Sequence, residues 1–97
     1  MYPYRENGRF DVDYYCNTHM PMVAEKFGEA LKGWSVDVGL ATSSPPAFVV
    51  IGHTQFDSVA AFATASAPHG KLFADDLANY SDGGPPIVQF SESPAQS

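Results

Sequence analysis

The spacing of apolar residues changes twice along this chain. After Pro21, Val23, Phe27 and Leu31 fall on one side of a helical pattern, and Phe10 to Leu31 as a whole predicts a first helix over 11 to 31. From Trp34 the period drops to two. Trp34, Val36, Val38 and Leu40 alternate with Ser35, Asp37, Gly39 and Ala41, which predicts a strand over 34 to 42 with one greasy face. Thr42-Ser43-Ser44-Pro45-Pro46 signals a turn, and the Val- and Ile-rich segment 48 to 56 completes a hairpin. Asp57 or Ser58 caps a second helix over 57 to 67, stopped by Pro68, and a short helical turn is expected around Leu72, Phe73 and Leu77. Ser81 to Pro86 forces a loop, 86 to 91 reads as a last strand, and the polar tail from Glu92 to Ser97 is expected to fray.

The first helix has an unusual composition. Tyr14-Tyr15-Cys16-Asn17-Thr18-His19 occupies positions where Leu, Ala, Lys or Glu would favour helix more, so something other than propensity selects these residues. Asp11 is placed to cap its start. Pro21 removes a backbone donor, clashes with the carbonyl of Asn17 and disfavours helical geometry at Met20, which predicts a kink. Tyr15 and His19 lie one turn apart on one face, with Thr18 beside His19 and Met22 three residues further on. Such a face can wall a pocket. It can equally be an amphipathic core face whose polar tips bond to backbone, with His19 capping carbonyls freed by Pro21.

With Met1 to Tyr4 counted as the stub of a first strand, the order becomes the split βαββαβ pattern of an α+β fold: an antiparallel sheet with both helices on one face, reached by right-handed crossovers. That first strand is truncated. The opposite sheet face would then expose Val and Ile, and a homodimer joined face to face would cover it.

The 97 residues, 44% of them hydrophobic, suit one domain with one core. A net charge of -6, with the only cations at Arg5, Arg9, Lys26, Lys32 and Lys71, argues against nucleic acid and anionic membrane surfaces. The lone Cys16 rules out an internal disulfide and a Cys-based zinc site, which fits a reducing, cytoplasmic setting. No apolar run is long enough to span a membrane, and no secretory signal pattern opens the chain.

Tyr2-Pro3, Phe10-Asp11, Tyr14-Tyr15, His19-Met20-Pro21 and Phe56-Asp57-Ser58 resemble the EthD family, small proteins named for a role in ethyl tert-butyl ether degradation. The likeness runs over nearly the whole chain, and the Phe-Asp…Tyr-Tyr…His-x-Pro stretch is its most specific part. The resemblance implies a ferredoxin-like dimeric α+β barrel, shared with small monooxygenases, muconolactone isomerases and fungal decarboxylases and dehydratases that act on polyketides. It also places the family's most recognisable histidine at His19, facing a cavity between helix and sheet. One departure stands out: such chains usually carry a full strand before the Tyr-Pro pair, whereas Met1 directly precedes Tyr2 here, as if the sequence began at an internal methionine.

An imidazole can move protons near neutral pH, as a decarboxylase, isomerase or cofactor-free oxygenase requires, so His19 and Tyr15 are the candidate catalytic residues, Tyr15 as donor of a hydrogen bond to a ligand oxygen or as the group that orients the ring. Trp34, Met22 and His53 are candidate substrate-binding residues, His53 being placed to meet His19 across the cavity or else to be a satisfied sheet histidine. His69 is a weaker candidate, and Cys16 reads as a small buried thiol. Asp75-Asp76 reads as solvated carboxylates. Three histidines without local spacing give no metal signal, and no glycine-rich phosphate loop exists, so neither metal nor cofactor is expected. Two functions fit: a small catabolic enzyme of oxidoreductase, isomerase or lyase type acting on a hydrophobic aromatic or ether-derived compound, or a non-catalytic homodimer that binds such a compound and supports a partner oxygenase.

Overall fold

The carboxylate of Asp11 accepts the amide of Tyr14 at 2.9 Å, and this cap starts the first helix where the sequence places it. The computed structural model describes residues 1–92 and 94; most of the tail expected to fray lies outside them. The helix runs through α1 (Val12–Tyr14), a π-helical turn (Tyr15–His19) and α2 (Met20–Phe27), followed by a 3-10 turn at Gly28–Ala30. The kink expected from Pro21 takes the form of that π-turn. The amide of Met20 reaches back to the carbonyl of Tyr15, which widens the helix just before the proline ring needs room beside the carbonyl of Asn17. Gly28 then adopts a φ of 58°, open to glycine but strained for other residues, and ends the helix earlier than the expected residue 31.

β1 (Tyr2–Pro3), β2 (Gly33–Val38) and β3 (Phe48–Gln55) form an antiparallel sheet in the order β1-β3-β2. Trp34 pairs with Thr54, Val36 with Gly52, and Val50 lies between Val38 and Tyr2. β2 stops short of the expected residue 42: its last ladder pair is Val38 with Val50, and at Gly39, which still donates its amide to the carbonyl of Val49, a Cβ would collide with the carbonyl of Phe48 and the ring of Pro46. Ser58 caps α3 (Val59–Ser66) by accepting the amide of Ala61 at 3.0 Å. After Pro68, the expected single turn is a full helix, α4 (Gly70–Asp76), prolonged by a 3-10 turn at Leu77–Asn79.

The expected last strand over 86 to 91 does not form. Met1 and Ile87 do exchange both backbone hydrogen bonds, each 2.8 Å long, on the edge of β1. The next hydrogen-bonded pair in that register would be Pro3 with Pro85, and neither has an amide hydrogen to give. The ladder therefore ends after one rung.

Gly52 faces the first helix, since a Cβ there would strike the hydroxyl of Tyr15. By strand alternation Ser35, Asp37, Val49, Ile51, His53 and Gln55 face the other way. That face is more polar than the Val- and Ile-rich surface the strands led us to expect. The core has two parts. Tyr2, Tyr15, Met20, Val50 and Tyr80 pack between the first helix and the sheet, and Val50, completely sealed, contributes roughly 1.5–3 kcal/mol by its burial. At the other end Phe27 meets Phe56, Phe62 and Phe73 edge-on or tilted, and Phe62 meets Phe90. Among the described residues no helix is long and apolar enough to cross a membrane.

Candidate functional site

His19 is 5% exposed and projects from the end of the π-turn into a cage of tyrosines. Its ring lies nearly parallel to that of Tyr15, at 17° and 5.3 Å between centroids, and 4.7 Å from the tilted ring of Tyr80. Nδ1 lies 2.8 Å from Oδ2 of Asp76, at the end of α4. The other carboxylate oxygen, Oδ1, accepts the hydroxyl of Tyr14 at 2.7 Å and the side-chain amide of Asn79 at 2.8 Å. Burial pushes the Asp76 carboxyl up, but the donors Asn79, Tyr14 and His19 outweigh it and hold the group below its ordinary value. It is therefore an ionised acceptor near neutral pH. The same carboxylate pulls on the Tyr14 proton and raises that phenol.

Nε2 of His19 has no hydrogen-bond partner among the described residues. No buried side-chain nitrogen or oxygen is left unpartnered there either, so Nε2 must be reached by solvent. One nitrogen is anchored and the other is available.

The tyrosines behind the ring are buried phenols. Burial raises the phenols of Tyr2 and Tyr15 far above their ordinary value and that of Tyr80 to about 12. Tyr2 and Tyr80 share a hydrogen bond of 2.8 Å between hydroxyls. These groups stay neutral and support the imidazole face rather than titrating beside it.

A cavity between the first helix and the sheet, the place expected for a ligand, is not what the packing leaves: Tyr2, Tyr15, Met20, Val50 and Tyr80 fill that interface. Space opens instead on the outer side of the helix. There Tyr14, Thr18 and Met22, spaced four apart, face Leu72, Asp75, Asp76 and Asn79 of the α4 region across an open groove of about 320 Å³. A second recess of about 60 Å³ lies near Arg5, Phe10 and Gly83.

Of the residues singled out from sequence, the fold brings together His19 and Tyr15 and places Met22 on the groove that Asp76, the partner of His19, also lines. It does not bring in the other two. His53 turns to the open sheet face, where Nε2 lies 2.9 Å from Asp37, and so does not meet His19. Trp34 stands 40% exposed, paired in register with Thr54. Asp76 was missed, read as a solvated carboxylate, together with Tyr14 and Asn79. The available signal was the spacing of Leu72, Asp76 and Asn79, which puts them on one helical face once α4 is recognised.

Fold and site define a small α+β protein with a buried histidine-carboxylate pair beside an open groove. No protein-family model and no curated protein matches the chain. It is similar to the crystal structure of an EthD-like protein from Ralstonia eutropha JMP134, with 42% identity and a TM-score of 0.92, covering 100% of this chain and 89% of that one. The chain belongs to the EthD-like family.

Proposed function

We propose that this protein is a single-domain, ferredoxin-like homodimer that binds a hydrophobic aromatic or ether-derived molecule and uses His19 as its proton-transfer group. The observation that carries this reading is the ring itself: a buried imidazole fixed on one nitrogen by a carboxylate, with the other nitrogen unpartnered among the described residues. A histidine serving only as a cap for carbonyls near Pro21 would bond to backbone, and His19 bonds to a side chain. Tyr15 orients the ring by stacking, and the apolar part of a ligand would lie along Met22 and Leu72. Proton abstraction from an acidic C–H, and isomerisation that begins with it, need no cofactor if a base is held in place.

The dimer reading rests on Val49 and Ile51 on the open sheet face and on the exposed Val38, Leu40, Ile87 and Val88. The alternative, a non-catalytic dimer that binds the compound and hands it to a partner oxygenase, is favoured by the openness of the groove, which would not exclude water from a reaction.

His19→Asn tests the proton-transfer role. Asparagine keeps a hydrogen-bond donor for Asp76 but cannot carry a proton to and fro near neutral pH. Turnover of an aromatic or ether-derived test compound should fall sharply while ligand affinity stays close to that of the wild type. Unchanged turnover would refute the role, and turnover absent from the wild type across such compounds, with binding retained, would favour the accessory protein. Because the ring is buried and hydrogen-bonded, a stability loss of roughly 1–3 kcal/mol should accompany the substitution.

A further inference from the structure

We infer that Asp76 is a positioning residue that fixes His19 as its Nδ1–H tautomer and so makes Nε2 the basic nitrogen of the site. This rests on the reading of His19 as the proton-transfer group and goes beyond it by naming which atom acts and what holds it. An ionised carboxylate can only accept hydrogen bonds, and Oδ2 of Asp76 faces Nδ1 at 2.8 Å, so that nitrogen must carry the proton. A neutral ring protonated on Nδ1 has its lone pair on Nε2, the nitrogen without a hydrogen-bond partner among the described residues. The carboxylate cannot turn away, because its other oxygen is held by Tyr14 and Asn79 from two different elements. Stacking against Tyr15 fixes the ring plane. The arrangement presents a base, so the reactions it suits begin with removal of a proton from the bound molecule.

Substituting asparagine for Asp76 gives an unusual outcome to look for. The amide oxygen should stay with the two donors Tyr14 and Asn79, which leaves the amide NH2 facing Nδ1. Nδ1 must then accept, and the ring proton moves to Nε2. A merely structural role for Asp76 would lower stability without moving the proton.

Full-length protein carrying 15N-labelled histidine, with the ring neutral, gives the answer through two-bond 15N–1H correlations. His19 is distinguished from His53 and His69 by the signal lost in His19→Asn. The wild type should show Nε2 as the unprotonated nitrogen, Asp76→Asn should show the reversed pattern, and Tyr14→Phe, which keeps the carboxylate, should retain the wild-type tautomer. A wild-type ring protonated on Nε2, or on both nitrogens under these conditions, overturns the inference, as does Asp76→Asn with its tautomer unchanged. If Asp76→Asn does not fold, the wild-type and Tyr14→Phe spectra decide alone. The failure of the broader reading looks different: the Nδ1–H tautomer is found, yet His19→Asn turns over the test compound as well as the wild type.

Discussion

The rings of Tyr15 and His19 stack within 17° of parallel across a turn that is π-helical. In an α-helix four residues overshoot a full turn by about 40°. Widening the turn by one hydrogen-bonded residue turns that overshoot back, and the two rings lie against each other across it. The same widening accommodates Pro21. One local distortion therefore both relieves the proline clash and aligns the histidine with its support and with Asp76.

The far end of Tyr15 is as constrained as its face. Its hydroxyl occupies the space where residue 52 would carry a side chain, and only glycine leaves that space free. Gly52→Ala should destabilise the protein by roughly 1–3 kcal/mol through overpacking. Without the hydroxyl, the nearest remaining ring atom lies 3.5 Å from the new Cβ, an ordinary contact. The double variant with Tyr15→Phe should recover much of the loss, so a urea double-mutant cycle should show strong coupling. Additive effects would mean that the contact between Tyr15 and Gly52 is not what limits residue 52.

Much of this was legible in the sequence and some was not, for physical reasons. The hairpin, the caps at Asp11 and Ser58, and the facing of Tyr15 and His19 follow from spacing and short-range chemistry. The last strand failed because two prolines, Pro3 and Pro85, meet across a register that only the folded sheet reveals. Asp76 was hidden because a carboxylate's partners are set by tertiary packing: Tyr14 and His19 come from the first helix, 62 and 57 residues away in sequence. The position of the groove was likewise set by how completely five large side chains fill the helix-sheet interface.

Acid sensitivity should report on Asp76. Its carboxyl is held below the ordinary value of 3.8 in the folded state, so its contribution to stability is present in full above that value and is lost as pH falls through the folded one. The gap in melting temperature between the wild type and Asp76→Asn should therefore narrow as pH drops from about 6 to about 2.5. An acid limb should persist in the variant, because Asp82, held down by the Arg9 amide and by Arg5, shifts in the same direction. A gap that stays constant across this range would contradict the role given to the Asp76 carboxylate.

The dimer is tested most directly at Ile51, an apolar residue that strand alternation sets among Ser35, Asp37, His53 and Gln55 on the open sheet face. Ile51→Glu adds a second carboxylate directly across from Asp37 and would bury an unpaired charge at a sheet-to-sheet contact. It leaves the aromatic core and the His19 site untouched, so the circular dichroism spectrum should be that of the wild type. Light scattering at micromolar concentration should give a dimer mass for the wild type and a monomer mass for the variant. A dimer in both would move the contact to the exposed Ile87, Val88 and Phe90 on the other side of β1, whereas a wild-type monomer would remove the dimer from the reading and leave the groove to act in a single chain.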